Sequence, residues 1–150
     1  MNEGDVDIKN RPSRARYDKV KSGLDRKWRR RAPQPERMMR EIVDGLWDAF
    51  GESPWTWCGV WTAQPDGKAF QPGAARPDPA AAPVPAAGAL GEAFAAGEVR
   101  RTAGAISVPI FDKNGRAFAV FEAKSSTVFD DMDARWIERL FKAFHEIESI

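Results

Sequence analysis

The 150-residue chain predicts an α+β fold: a central antiparallel sheet with N- and C-terminal helices packed on one face. Two segments with helical apolar spacing bracket the rest. One runs through Met39, Ile42, Val43, Leu46, Trp47 and Phe50, the other through Met132, Trp136, Ile137, Leu140, Phe141, Phe144 and Ile147. Between them, strands with period-two alternation are separated by turn residues. Two of these strands meet at Asn114-Gly115, a strong hairpin signal that makes their pairing antiparallel.

Each element follows from local chemistry. Residues 1–12 are polar and charged, end in Arg11-Pro12, and read as disordered. From Ser13 to Arg31, Tyr17, Val20, Leu24 and Trp28 make a narrow helical stripe in a basic segment. Such a helix is marginal alone and needs a surface to lie on. Ala32-Pro33-Gln34-Pro35 interrupts it. Pro35 and Glu36 suit the first turn of a second helix, and Gly51 its end.

Trp55 to Thr62 reads as the first strand, with Trp55, Trp57, Gly59 and Trp61 on one face and Thr56, Cys58, Val60 and Thr62 on the other. Pro65-Asp66-Gly67 turns the chain into a short return strand over Lys68 to Gln71. Residues 72–88, rich in Ala, Pro and Gly, read as a loop or lid. Ala89 to Ala96 forms a short helix stopped by Gly97. Pro109 inside the strand from Ile106 to Phe111 demands an edge or a bulge. The returning strand, Arg116 to Ala123, places Phe118, Val120 and Glu122 on one face. Asp130 caps the last helix, with Asp131 and Asp133 in its first turn.

Composition excludes several functions. A chain of this length can bury about two-thirds of its unfolded surface, so a core needs neither metal nor disulfide. One cysteine, Cys58, permits no internal disulfide and no cysteine-rich zinc site. The acidic N-terminus is unlike a secretory signal, and a reducing cytoplasm fits the cysteine usage. No apolar run reaches the ~20 residues of a membrane helix. The net charge of +1 hides an asymmetry: residues 9–40 carry 13 Lys or Arg against three acids. The sequence therefore divides into a basic arm over 1–33 and a domain over 34–150.

Five pieces carry a family resemblance: Trp57-Cys-Gly-Val-Trp61, Gly88-Ala-Leu-Gly-Glu-Ala-Phe-Ala-Ala-Gly-Glu98, Ser107-Val-Pro-Ile110, Gly115-Arg-Ala-Phe-Ala-Val-Phe-Glu122 and Phe129-Asp-Asp-Met-Asp133. In this order they resemble GAF domains, PAS-related in fold, and most the stand-alone branch containing the free methionine-R-sulfoxide reductases. The resemblance covers roughly residues 36–148. It implies first and last helices packed together on one sheet face, and a small-molecule pocket between the other face and the variable loop. Trp57, Trp61, Phe70, Leu90, Phe94, Ser107 and Glu122 are the pocket residues so implied.

The departures bear on activity. The branch's reductases use cysteines in the loop and short-helix region, where this chain has Ala74, Ala75, Ala80 to Ala82 and Leu90. Cys58 matches no catalytic position, and the paired acids of the last strand become Glu122 and Lys124. Sulfoxide reduction needs a thiolate nucleophile and usually a resolving thiol. The expectation is therefore a non-catalytic sensor domain, of bacterial type, needing no cofactor or metal. It binds a small molecule or a signalling partner protein and forms a homodimer through its first and last helices.

Each candidate residue also has a purely structural reading. Glu122 either anchors a cationic or amide group or pairs with Arg116 or Lys124 at the sheet margin. The strand tryptophans either wall a flat or cationic ligand or pack under a helix. Cys58 among apolar neighbours reads as a buried, inert thiol. His145, the only histidine, has no second ligand for a metal. Arg26, Lys27, Arg29, Arg30 and Arg31 could meet nucleic acid or an anionic membrane, but docking on an acidic domain body is favoured. The alternative to ligand sensing is a protein-interaction module with a collapsed pocket, or binding of anionic surfaces through the arm.

Overall fold

A computed structural model describes residues 3–30, 33–52 and 54–148, with side chains over 14–30, 33–52 and 54–142. Four helices, α1 (Glu3–Lys27), α2 (Pro35–Phe50), α3 (Gly88–Ala96) and α4 (Asp131–Glu148), surround six strands. These are β1 (Trp55–Ala63), β2 (Ala69–Arg76), β3 (Val84–Pro85), β4 (Arg100–Arg101), β5 (Ala105–Phe111) and β6 (Ala117–Ser125). The sheet is antiparallel, in the order β3-β2-β1-β6-β5-β4.

Helices α2 and α4 cover one face, and α1 lies against both. The layer between them buries Ile42, Val43 and Leu46 of α2, Ile137 and Leu140 of α4, and Cys58, Val60, Ile106, Val108, Phe121 and Ala123 of the strands. The apolar stripe Tyr17, Val20, Leu24 and Trp28 is what α1 buries, so the marginal helix gains its surface from its own chain. Trp28 Nε1–H also donates to Glu41 Oε1 at 2.8 Å, and Lys27 Nζ lies 3.5 Å from Glu41 Oε2. Burial pulls the Glu41 carboxyl upward, but these donors and Arg37 outweigh it and hold it below its ordinary value.

The N-terminal helix begins at Glu3, not at Ser13, which corrects the expectation of disorder over residues 3–12; residues 1 and 2 lie outside the described residues. At the other end of the chain, Asp130 and Asp133 cap α4 reciprocally. Asp133 N–H donates to Asp130 Oδ1 and Asp130 N–H to Asp133 Oδ2, each at 2.9 Å. Tyr17 OH donates to Asp133 Oδ1 at 2.7 Å, fastening α1 to this cap. Burial pushes the Tyr17 phenol up, as do the neighbouring Asp133 and Asp130 carboxylates. Phe144, His145 and Ile147 of α4 lie outside the described side chains.

The β5–β6 hairpin closes as expected. Gly115 has φ +79°, Asp112 N–H donates to Arg116 O at 2.9 Å, and the Asp112 carboxylate accepts from Asn114 N–H and Arg116 N–H. Pro109 lies beyond the two residues that β4 pairs with β5, so its missing donor falls where β5 has no outer neighbour. Gly51 ends α2, but in extended conformation. A Cβ there would collide with the Trp47 ring, so close approach rather than a left-handed turn requires glycine.

Two expectations for the first strands are corrected. A register shift between Trp55 and Trp57 puts successive tryptophans on opposite faces. Trp55 turns into the helix-side core, stacked on Phe50 at 4.8 Å and set edge-on to Phe129 at 5.7 Å. The segment over 72–88 is not wholly a loop: β2 runs on to Arg76, and β3 pairs with it through Val84 and Pro85. Its small residues serve close approach. Ala75 stands opposite Gly59, and a Cβ on Gly73 would come within 2.8 Å of Val60 O.

Candidate functional site

The second face of the sheet carries the polar groups. Strand alternation from the bulge onward aims Trp57, Gly59 and Trp61 away from α2. Across the β1–β6 ladder these face Lys124, Glu122 and Val120, and across β5–β6 Ser107 stands opposite Glu122. Helix α3 and the segment before it cover this layer, burying Phe70, Ala93, Val120 and Trp61, with Leu90, Phe94, Val84 and Ala80 half-buried around them.

Gly59 makes room for the aromatic pair. A Cβ there would stand 2.8 Å from the Trp57 ring and 2.5 Å from Ala75 Cβ. Trp57 can therefore lie over the strand, 6.1 Å from Trp61. Its Nε1–H donates to Asp78 O at 2.9 Å, tying the segment after β2 onto the face. Lys124 Nζ sits 5.5 Å from the Trp57 ring centroid, within cation–π range. Phe70 and Phe94 meet edge to face at 5.4 Å.

Trp61 Nε1–H donates to Glu122 Oε1 at 3.0 Å. Among the described residues no donor reaches Glu122 Oε2. Ser107 is 2% exposed, the one serine, threonine, amide or charged residue buried among the described residues, and its hydroxyl has no hydrogen-bond partner there. A buried hydroxyl left unpaired costs about 1–3 kcal/mol. One face thus holds a carboxylate with spare acceptor capacity, an unmatched hydroxyl and two indoles. That combination can orient a small ligand bearing a cationic or amide donor and a flat apolar body.

All seven residues proposed from the sequence lie on this face or on the helix and strand that cover it: Trp57, Trp61, Ser107 and Glu122 on the central strands, Phe70 on β2, Leu90 and Phe94 on α3. Sequence reasoning noted Lys124 beside Glu122 on one strand but left it out of the pocket residues. It also missed that the bulge removes Trp55 from the group.

Cys58 sits on the opposite face, fully buried, with Sγ 4.0 Å from Val43 O. Burial pushes its thiol up to about 12, the Arg76 cation opposing this and the Asp44 carboxylate adding to it. Such a group is a poor nucleophile at neutral pH. Among the described residues no group of three potential ligands could hold a metal ion, and no helix is long and apolar enough to cross a membrane. Of the basic residues, Arg26, Lys27, Arg29 and Arg30 are exposed at the end of α1, and Arg31 lies outside the described residues.

The sheet order, the helices on one face and α3 over the other decide the fold class. The chain has the GAF fold. No protein-family model matches its sequence, and no curated protein does. Solved structures match it well. The free methionine-R-sulfoxide reductase of Neisseria meningitidis, in complex with its substrate, superposes with a TM-score of 0.72 at 20% identity, covering 89% of this chain and 86% of that one. The GAF domain of a phosphoenolpyruvate-protein phosphotransferase from Coxiella burnetii has a TM-score of 0.72 at 12% identity, covering 90% and 94%. A methyl-accepting chemotaxis protein, residues 122 to 287, has a TM-score of 0.66 at 16% identity, covering 85% and 93%. This GAF fold resembles the reductase's, but its single thiol is buried on the helix side of the sheet.

Proposed function

We propose that the chain is a non-catalytic sensor domain that binds a small molecule on the α3-covered face of its sheet. The observation that carries this reading is the unpartnered, 2% exposed hydroxyl of Ser107 directly across from Glu122. Folding would ordinarily remove such a group or pair it, and a ligand that bonds to it and to Glu122 Oε2 supplies the missing partner. Trp57 and Trp61 then form the wall against a flat or cationic body. The signalling proteins among its structural neighbours support a sensing role, and the buried Cys58 thiol supports the absence of reductase chemistry.

Native mass spectrometry of the purified protein tests this. The expected result is a non-covalent mass above the 16.7 kDa chain or its multiples, lost in Glu122→Gln. A bare chain from both proteins overturns the ligand-binding reading. Turnover of free methionine-R-sulfoxide by the parent but not by Cys58→Ser overturns the non-catalytic one.

A second reading, an interaction module with a filled pocket, is favoured by how completely Phe70, Val120, Ala93 and Trp61 close the face. Self-association is part of the sensor proposal. Because α1 packs on α2 and α4, its outer side is the surface open to self-association.

A further inference from the structure

A concave surface lies on the helix side of the molecule, between the exposed flank of α4 and the α1 residue Arg14. It is a groove of about 650 Å³ whose floor includes Met132 and Trp136. Arg14, Arg135, Arg139 and Lys142 stand around it, with Glu138 the single carboxylate. The α4 members recur at spacings of three and four, so they form one stripe along the helix. All four cations are exposed, and none makes an ion pair among the described residues. Arg135 reaches only Asp131 O, at 3.5 Å, and Arg139 lies 5.1 Å from the Trp136 ring centroid. Among the described residues one carboxylate, Glu138, stands with these four positive charges, and like charges gathered so closely repel one another.

We infer that this groove seats an acidic, amphipathic helical segment of a partner protein. Its carboxylates meet Arg14, Arg135, Arg139 and Lys142, and its apolar side chains cover Met132 and Trp136. Charge complementarity selects the occupant, and the apolar floor narrows it. A phosphate backbone would match the rim but leave the floor uncovered. A nucleic-acid base would have to displace the contacts Trp136 already makes, parallel to Tyr17 at 6.0 Å and beneath Arg139. A second copy docked about a twofold axis through the groove would set arginine against arginine. The site is separate from the α3-covered face, so its fate does not depend on the ligand proposed there.

The test is fluorescence anisotropy with a labelled synthetic helix, leucines on one face and glutamates on the other, beside a scrambled peptide of the same composition. Saturable binding of the amphipathic peptide is expected, weakened by salt and at least about tenfold weaker in Arg135→Glu/Arg139→Glu. Lys142→Glu, which leaves the Arg139–Trp136 contact in place, should weaken it in the same direction, with circular dichroism melting confirming both folds. Absence of binding overturns the inference. So does equal binding of the scrambled peptide or of a DNA duplex, which would make the groove a general polyanion surface. Self-association of the parent that Lys142→Glu abolishes overturns it in favour of a second copy.

Discussion

The two faces of the sheet share the same strands but not the same chemistry. On the helix side, Trp55, Cys58, Val60, Ile106, Val108 and Phe121 meet the apolar sides of α2 and α4, and Tyr17, whose hydroxyl is matched by Asp133, closes the layer from α1. On the α3 side a smaller apolar cluster surrounds groups that packing alone does not call for: Ser107 without a partner, Glu122 with an oxygen to spare, Lys124 over an indole. Apolar burial contributes stability roughly in proportion to area, whereas unmatched polar groups subtract from it. The first face therefore accounts for why the chain folds. The second retains the cost of those unmatched groups.

Substitutions can break or sharpen that contrast. The largest effect belongs to Trp55→Ala, which empties the space between Phe50, Phe121 and Phe129 and should cost about 3–5 kcal/mol in denaturant unfolding. A loss no greater than that of a surface change would mean that the bulge does not bury Trp55. Gly59→Ala should cost about 1–3 kcal/mol, because the new methyl meets the Trp57 ring and Ala75. Ligand affinity, measured by calorimetry on any compound retained in native mass spectra, should fall with it as Trp57 shifts.

Tyr17→Phe removes the donor to Asp133, costing about 1–3 kcal/mol at neutral pH. Burial raises the Asp133 carboxyl above its ordinary value, the Asp130 N–H and the Tyr17 hydroxyl opposing it. For a carboxyl raised in the folded state, stability falls as pH rises through the window between the ordinary and the folded value. Losing the tyrosine raises the folded value further, so the penalty of Tyr17→Phe should grow from acid to neutral pH. A penalty independent of pH would show that Asp133 does not titrate differently in the two proteins.

Ser107→Ala has the smallest and most telling effect. In ligand-free protein it should raise stability, by up to about 1 kcal/mol, since it removes a buried hydroxyl without a partner. In ligand-bound protein the sign should reverse. Loss of stability in the ligand-free protein would place an internal partner on Ser107 and return this face to ordinary core.

Much of this was legible in the residues. Period-two alternation located β1, β5 and β6, and the Asn114-Gly115 turn set the β5–β6 pairing. Apolar spacing located α2 and α4, and the narrow stripe of α1 announced that it needed a surface. Glu122 and Ser107 were named as pocket residues through the family resemblance, and the β5–β6 pairing sets them opposite each other. The α1/α4 groove was harder to see, since Arg14 lies far in sequence from the cations of α4.

What the chain determined by itself was local: element type, the turn chemistry, and the apolar sides that must be covered. Those depend on φ/ψ preference and on spacing within a few residues. Tertiary structure decided the rest. Strand pairing inserted the extra residue that sends Trp55 and Trp57 to opposite faces. Close approach to β1 drew the Ala- and Gly-rich segment after Gln71 into β2. The match of hydroxyl to partner, made for Tyr17 and left open for Ser107, depends on groups brought together from distant parts of the chain. Such outcomes follow from long-range packing and desolvation, which no short window of sequence contains.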